Sequence, residues 1–222
     1  MSKGHDGSAA RPRMGGTTAP FHTLDPVDSA VLDKALDLLA APASERAWNS
    51  FFADHPVLQN RLGSTSTDAL IELDDATVLF LLAMQRMEDG SRLEVADGRH
   101  IERFGRFPSE DGCLLTYLLA WMRPTQGLEV EHDHLASLLL RLSQGIDNDH
   151  PNAAEGAGGL RLHGWLSTDD LRDLRTLLMG RCWTVSAEEP LDGGMRDAVM
   201  HLTALLRGAE RRRVGLLHRS HA

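Results

Sequence analysis

Hydrophobic residues recur at helical spacing through most of this chain. The clearest stripe contains Leu135, Leu138, Leu139 and Leu142, at positions i, i+3, i+4 and i+7 of one helix face. Shorter stripes, each preceded by a residue that can cap a helix, predict further helices beginning near Asp25, Ser44, Asp74, Ser167 and Asp192. The pattern therefore predicts several amphipathic helices with buried leucine faces.

One segment differs because it has no polar face. Residues 113–122 read Cys-Leu-Leu-Thr-Tyr-Leu-Leu-Ala-Trp-Met, and a helix that is apolar all round belongs inside a protein. The run is much shorter than the roughly 20 apolar residues that a membrane-spanning helix needs. Ser109 is a suitable N-cap, and Pro124 disfavours helix at the residue before it. We expect a buried helix near 110–123.

The composition of the hydrophobic residues supports a helical fold. The chain has 36 leucines but only 9 valines and 3 isoleucines, and leucine favours helices whereas β-branched residues favour strands. The predicted fold class is mainly α, an irregular multi-helix bundle around the buried helix near 110–123.

A small β-hairpin near 91–107 is the exception to this helical prediction. Residues 92–96 alternate in polarity, and Asp97-Gly98 is a favoured two-residue hairpin turn. The following run, 100–108, resembles a nine-residue segment of a family of helical, tetratricopeptide-like bacterial proteins, with Ser-Glu-Asp in place of that family's next His-Arg-Asn. That resemblance implies helix instead, so the two interpretations stay open.

Breaks in the pattern divide the chain into four parts. Residues 1–24, rich in Gly, Ser, Thr and Pro, are expected to form a disordered leader. A helical core domain is predicted over 25–145, with Gly145 as a C-cap, followed by a loop at 146–159. Residues 160–222 are predicted to form a C-terminal helical unit packed on the core.

The charge distribution favours a protein partner over a nucleic acid. The net charge of −9 is uneven: residues 25–204 carry −15, whereas both ends are basic. An acidic body repels phosphate and suits a basic protein. No secretory signal or membrane-spanning run is evident, and the two cysteines form no metal-binding motif, so we expect a cytoplasmic protein with buried free thiols.

Candidate metal ligands lie on either side of the Leu135 stripe. His132 and His134 would share one face if their segment were a strand, and Asp149 and His150 follow the stripe. Imidazole and carboxylate together suit a divalent metal such as zinc or manganese. The same residues on a helix would instead be solvated surface groups.

Two functions follow as hypotheses. Motifs such as GxSxG, GxxxxGK[ST] and HExxH are absent, which favours a non-enzymatic interaction or regulatory protein without a cofactor, for example an immunity or antitoxin protein with an acidic surface. The alternative is a metal-dependent hydrolase that uses the His/Asp cluster around 132–150.

Overall fold

The structure, a computed structural model, describes residues 19–40, 45–63, 73–91, 93–95 and 105–221. These residues form eight α-helices and five β-strands in two sheets. The helices are α1 Ser29–Ala40, α2 Glu45–Asp54, α3 Pro56–Gly63, α4 Asp75–Ala83, α5 Leu114–Trp121, α6 Glu129–Asp149, α7 Thr168–Met179 and α8 Gly194–Arg212. The strands are β1 Phe21–Val27, β2 Met122–Pro124, β3 Leu160–Leu166, β4 Trp183–Val185 and β5 Gly215–His221. The prediction of a mainly α bundle is wrong, because the fold is mixed α/β.

The larger sheet has three antiparallel strands in the order β1-β5-β3. Strand β5 therefore pairs on both sides, with Phe21 to Val27 on one side and Leu160 to Leu166 on the other. The pairing of β3 with β5 shifts between Leu162 and Gly164, so the strand contains a β-bulge there. Strands β2 and β4 form a second, two-stranded sheet.

The two faces of the larger sheet bury two separate hydrophobic clusters. Because side chains alternate along a strand, Leu24 and Leu216 lie on one face and Val27 and Leu217 on the other. The first face belongs to the cluster formed with helices α5 to α8. The second face packs with α1 to α4. Helices on both faces make the sheet the middle layer of the molecule.

The predicted buried helix near 110–123 is present as α5, but shorter. Leu114, Leu115, Tyr117 and Leu118 are all buried. The helix begins after Cys113, and its C-cap residue, Met122, opens β2, because Pro124 disfavours continued helix.

The first predicted helix boundary is wrong because Asp25-Pro26 lies in β1 and does not cap a helix. The cap is Asp28, whose Oδ1 accepts the N–H groups of Ala30 and Val31 at 3.0 and 3.1 Å. Proline is tolerated in β1 because the strand lies at the edge of the sheet.

The larger sheet combines strands from parts of the chain that the sequence predicted to be separate. Residues 1–18 of the predicted leader lie outside the described residues, but its last four form the start of β1. Helix α6 continues past Gly145 to Asp149, with non-helical backbone at Gln144. The predicted C-terminal helical unit contributes two strands, β3 and β5, to the larger sheet. Strand β5 pairs directly with β1 from the N-terminal part, and β3 pairs with the other edge of β5.

Most of the predicted hairpin at 91–107 lies outside the described residues, including its Asp97-Gly98 turn and residue 92. Gly105, the first described residue after residue 95, forms an isolated antiparallel bridge with His22 of β1. Within the part of the chain that is described, each helix is too short or too polar to span a lipid bilayer.

Candidate metal centre

The predicted metal ligands lie at opposite ends of α6. His132 and His134 are in its first turns, half-buried and exposed respectively, whereas Asp149 is its final residue and His150 its C-cap. Seventeen residues of helix separate His132 from Asp149, or about 25 Å. Because residues 132 and 134 are helical, their side chains also point about 200° apart. The structure does not bring these four residues together.

Three other histidines converge on one point. His22 of β1, His163 of β3 and His218 of β5 each offer a ring nitrogen, and these three nitrogens lie within 4.8 Å of one another. In the described part of the chain, this is the one group of three or more His, Cys, Asp or Glu side chains with that proximity. Imidazole is a common ligand of Zn²⁺, Cu²⁺, Ni²⁺ and Fe²⁺.

Strand register explains how residues so distant in sequence meet. His22 pairs with Ser220 and Leu24 pairs with His218, so His22 and His218 are diagonal neighbours on the same face of the sheet. His163 is the extra residue of the bulge in β3, between Leu162 and Gly164. A bulge re-aims its side chain, which places the His163 ring over the same face, stacked on the His218 ring at 4.4 Å between centroids.

Helix α6 lies directly against this bulge. A Cβ atom on Gly164 would be 2.0 Å from the carbonyl oxygen of Arg141 and 2.7 Å from that of Leu142. Only glycine permits this approach of the helix backbone to the strand. Beyond the non-helical residue Gln144, the same helix carries Asp147, which reaches His163.

His22 and His163 each have a hydrogen-bond partner outside the cluster. His22 Nε2 donates to the carbonyl oxygen of Asp111 at 3.4 Å, and His163 Nδ1 lies 3.3 Å from Asp147 Oδ2. The backbone of Leu142 acts to raise the pKa of His218. Metal-binding histidines characteristically donate the N–H of their second ring nitrogen to a carboxylate or a backbone carbonyl, which fixes the ring orientation.

The remaining ring nitrogens face inward. His22 Nδ1 lies 2.9 Å from His218 Nε2. His163 Nε2 is 2.8 Å from the Ser220 hydroxyl, and Cys113 Sγ is 4.0 Å from His218 Nε2. In a tetrahedral zinc site with Zn–N bonds of about 2.1 Å, ligand nitrogens are about 3.4 Å apart. The inward nitrogens therefore need to move by no more than about 1.5 Å to share one ion.

Burial favours the neutral form of the three histidines. It lowers the pKa of all three histidines, most strongly for His218, whose pKa is lowered further by the other two rings. The charge of Asp147 partly offsets this effect at His163. Burial also raises the pKa of the Cys113 thiol. The neutral imidazole is the form that binds a metal ion.

The cluster is enclosed. His22 is 4% exposed and His218 1%, and the side chain of His163 is 15% exposed. Structural metal sites are closed in this way, whereas catalytic sites keep a coordination position open to substrate. The arrangement suits holding an ion better than turning over a substrate.

Sequence reasoning missed all three histidines because no local motif links them. His22 and His218 are 196 positions apart in the sequence. The available signal was the alternation within single strands, for example buried Leu162, Gly164 and Leu166 in β3. That alternation locates a strand but does not show which strands are neighbours.

Comparison of the chain with protein-family models, with curated proteins and with solved structures finds no match.

Proposed function

We propose that this protein binds a single transition-metal ion, with Zn²⁺ as the best-fitting ion, at His22, His163 and His218. The observation that carries the proposal is the convergence of their ring nitrogens within 4.8 Å, with His22 and His163 hydrogen-bonded from outside the cluster. Carboxylate and water-rich sites suit Mg²⁺ and Ca²⁺, whereas a cluster of imidazoles suits zinc and its neighbours.

The contact between His22 and His218 is the part of the cluster that a bound ion would change. His22 Nδ1 lies 2.9 Å from His218 Nε2, so in the metal-free protein one of these nitrogens carries a proton and donates it to the other. A bound metal ion would displace that proton and use both lone pairs. Burial favours the neutral imidazole at both positions, which is the form that binds a metal ion.

The ion would act as a structural link. Its three ligands come from the three strands of the larger sheet, so binding joins the N-terminal strand to the two strands from the second half of the chain. Any ligand that binds only the folded state stabilises it, and an ion shared by three strands does so for the whole sheet. This role is metal binding that maintains the fold, without catalysis.

The test is metal content and metal affinity of the purified full chain. Protein stripped with a chelator is titrated with Zn²⁺ by calorimetry, alongside the variants His163→Gln and His134→Gln. His163 is the least buried member of the cluster, and His134 is an exposed histidine of α6 that serves as the matched control. Wild-type protein and His134→Gln should each bind one equivalent, and His163→Gln should bind much more weakly.

Two results would count against the proposal. One is wild-type protein that binds no zinc, cobalt, nickel or copper above background after chelation. The other is wild-type zinc affinity in His163→Gln together with weaker zinc binding in His134→Gln. That result would place the metal site among the residues of α6. Circular dichroism of each variant verifies that it is folded.

A further inference from the structure

The Cys113 thiol lies beside the histidine cluster and has no part in the three-histidine site described above. Its Sγ is 4.0 Å from His218 Nε2, and the residue is 3% exposed. In a tetrahedral zinc site with Zn–S of about 2.3 Å and Zn–N of about 2.1 Å, sulfur and nitrogen are about 3.6 Å apart. The separation from His218 Nε2 is within about half an ångström of that value, although Sγ is not among the ligand atoms that all lie within 4.8 Å of one another, so the thiol would move inward on binding.

We infer that Cys113 is the fourth ligand of the proposed metal ion, so that the site is a closed tetrahedral centre of three histidines and one cysteine. This inference rests on the proposed function. It also narrows the class of ion, because a thiolate selects zinc, cobalt or copper over the hard ions manganese and magnesium.

A single turn places both Cys113 and His22. The side chain of Asp111 accepts the backbone N–H of Cys113 at 3.0 Å, and its carbonyl oxygen accepts the Nε2–H of His22 at 3.4 Å. The Asp111 carboxylate also accepts the Thr116 hydroxyl. One residue therefore holds the backbone of a candidate sulfur ligand and the ring of a candidate nitrogen ligand.

The backbone of Cys113 also fixes the thiol. The residue is the N-cap of α5, with extended geometry (φ −101°, ψ 120°), and its carbonyl oxygen accepts the N–H of Tyr117 at 3.2 Å. Binding is a ligand exchange without oxidation: the S–H bond breaks, the sulfur–metal bond forms, and the proton leaves to solvent. The metal ion keeps its +2 state.

The second cysteine provides a matched control. Cys182 is also a buried free thiol, 4% exposed, but its Sγ donates to the carbonyl oxygen of Leu177 at 3.5 Å and it is outside the histidine cluster. Serine replaces cysteine with little change in volume. Cys113→Ser and Cys182→Ser therefore differ in whether the removed thiol faces the proposed ion.

The experiment is optical absorption of the full chain reconstituted with Co²⁺. Tetrahedral Co²⁺ gives intense visible d–d bands whatever its ligands, and a thiolate ligand adds a sulfur-to-cobalt charge-transfer band in the near ultraviolet. We expect both features in wild-type protein and in Cys182→Ser, and loss of the charge-transfer band alone in Cys113→Ser. Zinc affinity of Cys113→Ser should fall at least about tenfold, the lower bound for losing even an outer-sphere partner.

The wild-type spectrum decides the matter even if Cys113→Ser does not fold. Visible d–d bands without a charge-transfer band would overturn the role of Cys113 and leave three-histidine binding standing. Absence of both features would overturn the proposed function as well. A charge-transfer band that disappears in Cys182→Ser and persists in Cys113→Ser would also refute the assignment.

Discussion

Replacing Asp147 by asparagine tests whether the carboxylate beside His163 supports metal binding. Asp147 has two partners: Oδ2 lies 3.3 Å from His163 Nδ1, and Oδ1 lies 3.2 Å from Arg161 Nη2. Asparagine keeps the shape of the side chain and removes its charge. The question is which of the two contacts matters.

The two contacts predict effects of different size on different measurements. Losing the carboxylate that orients a metal-binding histidine typically weakens metal affinity about 10- to 100-fold. The Arg161–Asp147 ion pair is partly exposed and is worth at most about 1 kcal/mol, whether or not metal is present. Asp147→Asn should therefore lose metal affinity by much more than it loses metal-free stability.

The magnitude follows from linkage between binding and folding. At a free Zn²⁺ concentration 100 times the wild-type dissociation constant, binding adds about 2.7 kcal/mol to the free energy of unfolding. With affinity 10- to 100-fold weaker, Asp147→Asn gains only about 1.4 to 0.4 kcal/mol at the same concentration. For a chain of this size 1 kcal/mol corresponds to about 2–4 °C, so the zinc-induced rise in melting temperature should shrink by roughly 3–9 °C.

The assay is thermal unfolding with and without Zn²⁺, with Arg161→Gln as the control. Arg161→Gln removes the ion pair and leaves the His163 contact, so its zinc-induced rise should match that of wild type. If Arg161→Gln lost as much of the rise as Asp147→Asn, Asp147 would act only as a surface ion-pair partner. A full wild-type rise in Asp147→Asn would refute the supporting role altogether.

Four further predictions follow from the same structure. Gly164→Ala places a methyl group against the α6 backbone and should cost about 3 kcal/mol in urea unfolding, whereas Gly145→Ala, within α6 and facing only a flexible side chain, should be neutral or stabilise by up to about 1 kcal/mol. Asp74→Ala removes the cap of α4 and a contact to the Ala157 N–H, and should lower stability by about 1–2 kcal/mol in the same assay, while Asp75→Ala should cost less. Burial lowers the pKa of the clustered histidines below 6.5, so in acid the unfolded chain binds more protons than the folded chain. The free energy of unfolding of metal-free protein should therefore decrease as pH falls below about 6.5. A free energy of unfolding that stays constant down to pH 5 would contradict this. If the acidic body binds a basic protein, a pull-down should capture a partner at low salt and lose it at high salt; finding no salt-sensitive partner would count against that hypothesis.

The helices were the predictable part of this fold because their signals are local. The Leu135 stripe is buried on α6, and the predicted capping box of α7 is present, with Ser167 and Asp170 bonded reciprocally. Each of these signals lies within a few residues of the structure it specifies. Helix periodicity therefore identified the layers that cover the sheet.

The sheet was missed because its signals are weak or ambiguous within each strand. In β1, Asp25-Pro26 has the sequence of a helix start, but Asp25 is fully buried and pairs with Arg219 of β5. That partner lies 194 positions later in the sequence, so the segment itself does not show it. The candidate site was missed for the same reason, since its ligands become neighbours only when β1, β5 and β3 pair.

The order of strands in the larger sheet has a consequence for synthesis of the protein. Strand β5 is central, yet the ribosome synthesises it after both of its neighbours. Nearly 190 residues separate the end of β1 from the start of β5, so β1 has no strand partner in this sheet for about 10–40 s at ordinary elongation rates. Until then no nascent chain can assemble all three imidazoles. Binding of the ion would therefore occur late in the synthesis of the protein. In a cell short of the ion, fully translated chains whose larger sheet lacks the stabilising ion would accumulate.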